Sequence, residues 1–178
     1  MDPFVVHVAR LRRVSGTRWH EVRSGPFDEE GVLGTRSEAD SSVPEGADAS
    51  CDVTLESFAG GVMVTGTVTA PWTGMCRRCA IRVGGVLRIP VRERFADPGD
   101  RHGDPEDDEA YPIVDDVLDL GPMVRDAIVL ELPLAPLCRE DCRGLCPSCG
   151  CDRNEETCGC EEPRDPRWAN LDVLRSAQ

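Results

Sequence analysis

Ten cysteines constrain what this chain can fold into more than any other feature, because of how they are spaced. Cys76 and Cys79 form one C-x2-C pair. Cys138, Cys142, Cys146, Cys149, Cys158 and Cys160 follow in a second block, with Cys151 inside it. The N-terminus, Met1-Asp2-Pro3, shows no basic region leading into an apolar run, so the chain reads as cytosolic. Thiols in that compartment stay reduced, and clustered free thiols there are more often metal ligands than disulfides.

Cys146-Pro147-Ser148-Cys149-Gly150 is the sharpest element. Two thiolates two residues apart can grip one tetrahedral ion, and the following glycine lets the chain curl so that backbone N–H groups face sulfur. Cys146, Cys149, Cys158 and Cys160 make a self-contained candidate site, with zinc the default for such soft ligands. Cys76 and Cys79 need two more ligands, and Cys138 with Cys142 is the unassigned pair. A zinc-ribbon pairing of Cys76 and Cys79 with Cys146 and Cys149 is the competing arrangement. Cys151 has no scheduled partner; it is either an oxidisable thiol or a substitute ligand. Cys51 falls on the apolar side of a strand and reads as a buried, inert thiol.

Alternation of period two organises the middle of the chain. Cys51, Val53 and Leu55 alternate with polar residues, as do Val62, Val64, Val68 and Ala70, and then Ile81, Val83, Leu87, Ile89 and Val91. Three such segments joined by short turns predict an antiparallel meander with one buried face. Phe4 to Val8 predicts a first strand, followed by a polar stretch carrying Arg10, Arg12, Arg13 and Arg18. Residues 24–48 and the acidic 97–110 segment are expected to be mobile loops. Leu120, Met123, Val124, Ala127, Ile128 and Leu130 suit one face of a short helix, with Asp119 as N-cap and Pro133 as stop. The expected fold is α+β: an antiparallel β-meander covered by a short helix (1–137), then a cysteine-rich, zinc-binding C-terminal extension (138–178). No segment has the length of about 18 apolar residues that a membrane span needs, so no membrane partner is expected.

Charge narrows the partners. The formal net charge of −13 argues against coating nucleic acid by charge alone, and every cation other than histidine is an arginine. The absence of lysine excludes Schiff-base and Walker-type phosphate-loop chemistry. Yet Arg77, Arg78, Arg82, Arg88, Arg92 and Arg94 cluster with a single acid, Glu93, between residues 75 and 95. On a strand, the even-numbered arginines project away from the apolar side and could dock RNA phosphates. With 4% aromatic residues, base-stacking platforms are scarce.

Catalytic constellations are missing from the sequence. A zinc deaminase needs His-x-Glu before its PCxxC, and none occurs. His7, His20 and His102 lie far from the cysteines in sequence, and all-thiolate sites leave no open coordination position. The expectation is a protein that is not an enzyme and has no small-molecule substrate.

Taken together, Thr67-Val68-Thr69-Ala70-Pro71-Trp72 before Cys76-Arg77-Arg78-Cys79, then Leu118-Asp119-Leu120, then Leu132 to Cys138 and Cys142 to Gly150 resemble the YceD family, the large ribosomal RNA subunit accumulation proteins. The resemblance runs from about Phe4 to Leu174. It implies a non-catalytic factor for large-subunit ribosomal RNA accumulation and ribosome biogenesis. Its partners would be a large-subunit ribosomal RNA precursor particle or a basic ribosomal protein, met by the acidic surface. A thiol-based redox or zinc sensor acting through a protein partner is the competing function from another class.

Overall fold

The computed structural model describes residues 3–27, 41–98, 110–160 and 167. Seven strands are present among these residues: β1 (Val5–His7), β2 (Arg18–Pro26), β3 (Asp48–Phe58), β4 (Gly61–Met75), β5 (Arg82–Ala96), β6 (Tyr111–Val114) and β7 (Val117–Asp119). They form one sheet in the order β1-β7-β6-β5-β4-β3-β2. Among the described residues one α-helix, α1, spans Gly121–Glu131, and a short 3-10 turn covers Leu11–Arg13.

Compactness divides the chain into two units. One comprises Met1–Gly74 and Gly84–Leu134; the other comprises Met75–Val83 and Ala135–Gln178. The second unit therefore draws the tip of the β4–β5 hairpin from the middle of the sequence.

The first unit follows the predicted alternation. Ala49, Cys51, Val53 and Leu55 on β3 and Val62, Val64, Val68 and Ala70 on β4 are all buried. β2, β3 and β4 pair antiparallel, with Cys51 opposite Val68 and Leu55 opposite Val64. Six residues join hydrogen-bonded β4 and β5, a link too short for a parallel crossover. Gly66 interrupts the apolar series opposite Val53, and its hydrogen faces the backbone of β3: a Cβ there would stand 2.1 Å from the Asp52 carbonyl oxygen. Met123, Val124 and Ile128 of α1 join Phe95, Ile113, Leu118 and Leu120 in the same core.

The three alternating segments lie side by side in sequence order, but the sheet as a whole is mixed and not strictly the expected antiparallel meander, and the unit is mostly β rather than α+β. β6 runs parallel to β5, with Phe95 opposite Tyr111 and their rings stacked at 5.1 Å. The chain then reverses through Asp115-Asp116, both at positive φ (52° and 58°), into β7. A two-residue link with both centres at positive φ is a type I′ hairpin, and aspartate tolerates that region better than most residues. β7 in turn pairs with β1. The guanidinium of Arg12 holds this arrangement by bonding both Asp97 and, at 2.8 Å, Asp116. Four strand residues and a turn lacking glycine gave too weak a pattern to announce this crossover.

Three further expectations are corrected. The polar stretch after β1 contains β2, whose residues alternate between exposed and half-buried but carry few apolar side chains. Ile81 precedes β5 and is exposed rather than buried. Leu130 is exposed as well, since it lies about 20° beyond Met123 at the edge of the helical stripe. Asp119 does serve the helix start: its Oδ1 accepts the Gly121 N–H at 2.8 Å, although the capping position itself is Leu120. Most of the two expected mobile loops, 28–40 and 99–109, lies outside the described residues.

Cys51 is 1% exposed, and burial pushes its thiol up to about 11. Cys51→Val should leave stability within about 1.5 kcal/mol of the parent. Cys51→Ser, burying a hydroxyl there, should cost about 1–3 kcal/mol in urea unfolding. Equal stability of the two variants would show that the site is not apolar.

Candidate metal centres

The described part of the second unit has almost no hydrocarbon core. Among its described residues, the buried side chains are Cys76, Cys79, Cys142 and Cys146 with Pro136, while Ile81, Leu137 and Leu145 are exposed. What replaces a core is sulfur.

At the hairpin tip, Cys76, Cys79, Cys138 and Cys142 converge, their sulfurs all within 4.8 Å of one another. The Cys76–Cys142 and Cys79–Cys138 sulfur separations are 3.8 and 3.7 Å. A disulfide needs about 2.05 Å. Four sulfurs at about 2.3 Å from a central ion stand about 3.8 Å apart along the edges of a tetrahedron. The observed spacing therefore fits four ligands around one ion.

Backbone geometry explains the convergence. Cys76 N–H donates to Ile81 O and Ala80 N–H to Cys76 O, closing a tight knuckle with Ala80 at φ 58°. The incoming segment is tied to this knuckle by Arg77 N–H to Pro136 O and by Leu145 N–H to Arg78 O, both at 2.9 Å. Arg78 also donates through Nη1 to Cys142 O at 2.8 Å. Gly144 is required twice over: its φ is +73°, and a Cβ would meet Arg78 O at 2.7 Å.

The field favours thiolate at Cys76 and Cys142 and opposes it at Cys79 and Cys138. Burial pushes the Cys76 thiol up, but backbone N–H groups, chiefly those of Cys79 and Arg78, outweigh it and bring it down to about 6. Cys142 is also buried yet lowered, by the Asn154 amide and the Gly144 N–H. Cys138, by contrast, is pushed up to about 12 by burial and by the neighbouring sulfurs. Four unscreened thiolates repel one another, so the bare cluster keeps protons that a dication would expel.

The second set lies farther along the same unit. Cys146, Cys149, Cys151 and Cys158 place their sulfurs within 4.8 Å of one another. Cys151 thus stands in the set where the sequence reading put Cys160. Gly150, at φ +75°, turns the chain so that its N–H donates to Cys146 O, while Cys146 N–H donates to Cys151 O. That closed turn carries Cys151 toward its partners. N–H groups of Cys149 and Ser148 pull Cys146 down to about 6. Cys160, which is exposed, still interacts through its thiol with Cys149 and Cys146. Cys160 therefore lies beside the set of four without belonging to it. Cys158 also lines an open cleft of about 400 Å³ with Arg143, Arg153, Glu156 and Thr157.

Neither set contains histidine or carboxylate. Such donor sets suit a soft, tetrahedral ion held for structure, with no open position for a substrate.

The candidate RNA arginines divide between the two units. Arg77, Arg78 and Arg82 belong to the second, where Arg78 is engaged in bonding the cysteine segment. Arg88 and Arg92, exposed on β5, belong to the first. Arg94 lies there too, half-buried with its guanidinium 5.6 Å from the centre of the Phe58 ring. His20 pairs with Asp52 at 2.6 Å, His7 is exposed on β1, and His102 lies outside the described residues. Asn154 escaped the sequence reading, although it donates to the Cys142 sulfur; its only local signal was Asp152 two residues earlier, the start of an Asx turn.

Fold and thiol sets together define a β-sheet protein with a cysteine-rich unit whose two thiol groups could hold metal ions. The family described as large ribosomal RNA subunit accumulation protein YceD matches residues 64–175, and this chain belongs to that family. It is 39% identical over 173 residues to uncharacterized proteins of Mycobacterium tuberculosis and Mycobacterium bovis, covering 96% of this chain and 80% of theirs. A maize protein named as a chloroplastic large ribosomal RNA subunit accumulation protein, YCED homolog 1, is 37% identical over 68 residues, or 38% of this chain and 23% of its own length. No solved structure matches the chain.

Loading both sets predicts two thiolate-bound ions per chain, countable by elemental analysis and by the charge-transfer absorption of a cobalt-substituted sample. Cys138→Ser should remove one ion, and Cys160→Ser should retain both. Because the protons held at Cys138 and Cys151, each near 12, must leave on loading, affinity should fall as pH falls. A metal affinity independent of pH between about 6 and 8 would contradict this.

Proposed function

We propose that this protein is a non-catalytic factor supporting accumulation of large-subunit ribosomal RNA, acting in the cytoplasm on a precursor of the large ribosomal subunit. The observation that carries this reading is the family match over residues 64–175, together with the names of relatives from maize and Arabidopsis thaliana as chloroplastic large ribosomal RNA subunit accumulation proteins. Zinc is the proposed ion in both thiol sets, with a structural role. Cys76, Cys79, Cys138 and Cys142 hold one ion. Cys146, Cys149 and Cys158 hold the other, with Cys151 as fourth ligand and Cys160 as its alternate.

The proposed partner is the RNA of the precursor particle, met through exposed Arg88 and Arg92. These two share one side of β5, and guanidinium groups recognise phosphate with paired N–H donors. With few aromatic residues, contact rests on phosphate and shape rather than on base stacking. A basic ribosomal protein, docking on the acidic surface, is the other outcome of the same test.

Affinity capture of the tagged protein followed by sedimentation should recover precursors of the large subunit. Arg88→Glu/Arg92→Glu should abolish recovery while leaving the fold and metal content intact. In binding to purified precursor RNA, neutralising each arginine should lower the slope of log affinity against log salt by about one. Unchanged capture by the double variant would retire the RNA contact, and capture that survives ribonuclease would favour the protein partner. If ribosomal particles are never enriched, the assembly role itself fails.

A further inference from the structure

Asn154 has a set of bonds that ties the two thiol groups together. It sits between Cys151 and Cys158, in the loop of the second set. Yet its side-chain Nδ2 donates to the sulfur of Cys142, a member of the hairpin-tip set, at 3.4 Å. The same Nδ2 donates its other hydrogen to Asp152 Oδ1 at 2.6 Å. Its Oδ1 accepts from Arg139 Nη2 at 2.8 Å and from the Arg143 backbone N–H at 2.7 Å. All four hydrogen-bonding positions of the amide are filled, and only one orientation of the amide satisfies them, because its neighbours are two donors, a carboxylate and a sulfur.

Three of these bonds would suffice to hold a loop. The fourth goes to a ligand atom, where an N–H donor withdraws charge from thiolate sulfur and orients it. Groups of this kind beyond the ligands themselves typically change metal affinity by about 10–100-fold when removed. The donor's position, in turn, depends on the second set. The Asp152–Asn154 turn follows Cys151 directly and is braced by Asn154 N–H to Asp152 Oδ1 and by the Leu145–Asp152 bridge. Cys146, next to Leu145, and Cys151, next to Asp152, are both members of the second set. An ion bound there fixes the two ends that hold this turn.

We propose that the two metal sites are energetically coupled through Asn154: filling the Cys146/Cys149/Cys151/Cys158 site places the Asn154 amide on Cys142 and so raises metal affinity at the hairpin tip. Linkage makes the effect reciprocal, so tip occupancy raises affinity at the second site by the same factor. Asn154 is a positioning residue in this scheme. It touches a ligand, not the ion.

The inference rests on reading both thiol groups as metal sites, and the test separates the two claims. The probes are zinc and cadmium ions, added to the metal-stripped full chain. Affinity at the tip is obtained by chelator competition. Cadmium NMR gives each thiolate site its own resonance, assigned with a Cys76→Ser/Cys79→Ser chain. Removing the second site by Cys149→Ser/Cys158→Ser should weaken the tip about 10–100-fold. Asn154→Ala should weaken it by a similar factor while the second site is intact, and add little once that site is gone. Asn154→Asp keeps acceptors for Arg139 and Arg143 but has no N–H for the Cys142 sulfur or for Asp152, so it should behave like Asn154→Ala and move the tip's cadmium resonance.

Wild-type tip affinity in Asn154→Asp would show that the amide serves only to hold the loop, and would overturn the proposal. So would losses from the Asn154 and second-site variants that multiply, since independent effects multiply and shared ones do not. If Asn154→Ala fails to fold, Asn154→Asp and the second-site variant still decide the matter. Two ions bound with unlinked affinities would sink the coupling alone. Fewer than two ions per wild-type chain would sink the metal reading with it.

Discussion

Repulsion among thiolates is the constraint on which the second unit depends. Four sulfurs about 3.8 Å apart would be a poor core for any peptide, because each added negative charge opposes the next. Desolvation worsens this, and the partial remedy is a set of N–H groups aimed at Cys76, Cys142 and Cys146. A divalent cation converts the same arrangement from a liability into the strongest attractive element available. In a segment with no buried valine, leucine, isoleucine or aromatic side chain among its described residues, little else can offset the entropy of ordering. The first unit obeys a different economy, closing over Phe95, Leu55, Ile113 and their neighbours by ordinary burial.

The two units thus solve the same problem with different materials, and the sequence shows both in different degrees. The long strands were legible because each presents several apolar residues at strict period two. Cys51 to Leu55 and Val62 to Ala70 have a face assigned by their alternation alone. β2 was not legible, since Arg18, His20, Glu21 and Arg23 give it polar side chains on both faces; its identity comes from its pairing with β3. β6 and β7 are four and three residues long, shorter than any periodicity test resolves. Their existence depends on Asp115-Asp116 accepting positive φ, which an Asn-Gly pair would have advertised and this one does not.

The thiols were legible as candidate ligands by type and spacing, but the grouping required three dimensions. A spacing of eight residues between Cys149 and Cys158 leaves Cys151 and Cys160 both within reach, and only the Gly150 turn shows why Cys151 folds inward. The arginine cluster reads as one stripe in the linear chain. In space its members have distinct occupations: Arg78 binds carbonyls of the cysteine segment, Arg94 lies against Phe58, and Arg88 and Arg92 remain exposed on β5. Asn154 could not have been found from its residue type, because its importance lies in reaching across twelve residues to a sulfur.

The hairpin tip has a consequence in time. Cys79 and Cys138 stand 59 residues apart in the chain. At the roughly 5–20 residues per second of protein synthesis, the first two thiols leave the ribosome about 3–12 seconds before their partners. During that interval two sulfurs wait at the end of a newborn hairpin, able to hold an ion only loosely or to meet an oxidant. The unit that the finished chain presents as a single knot is, for the growing chain, an appointment between an early pair and a late one. β4 and β5 must keep that early pair in place until it is met.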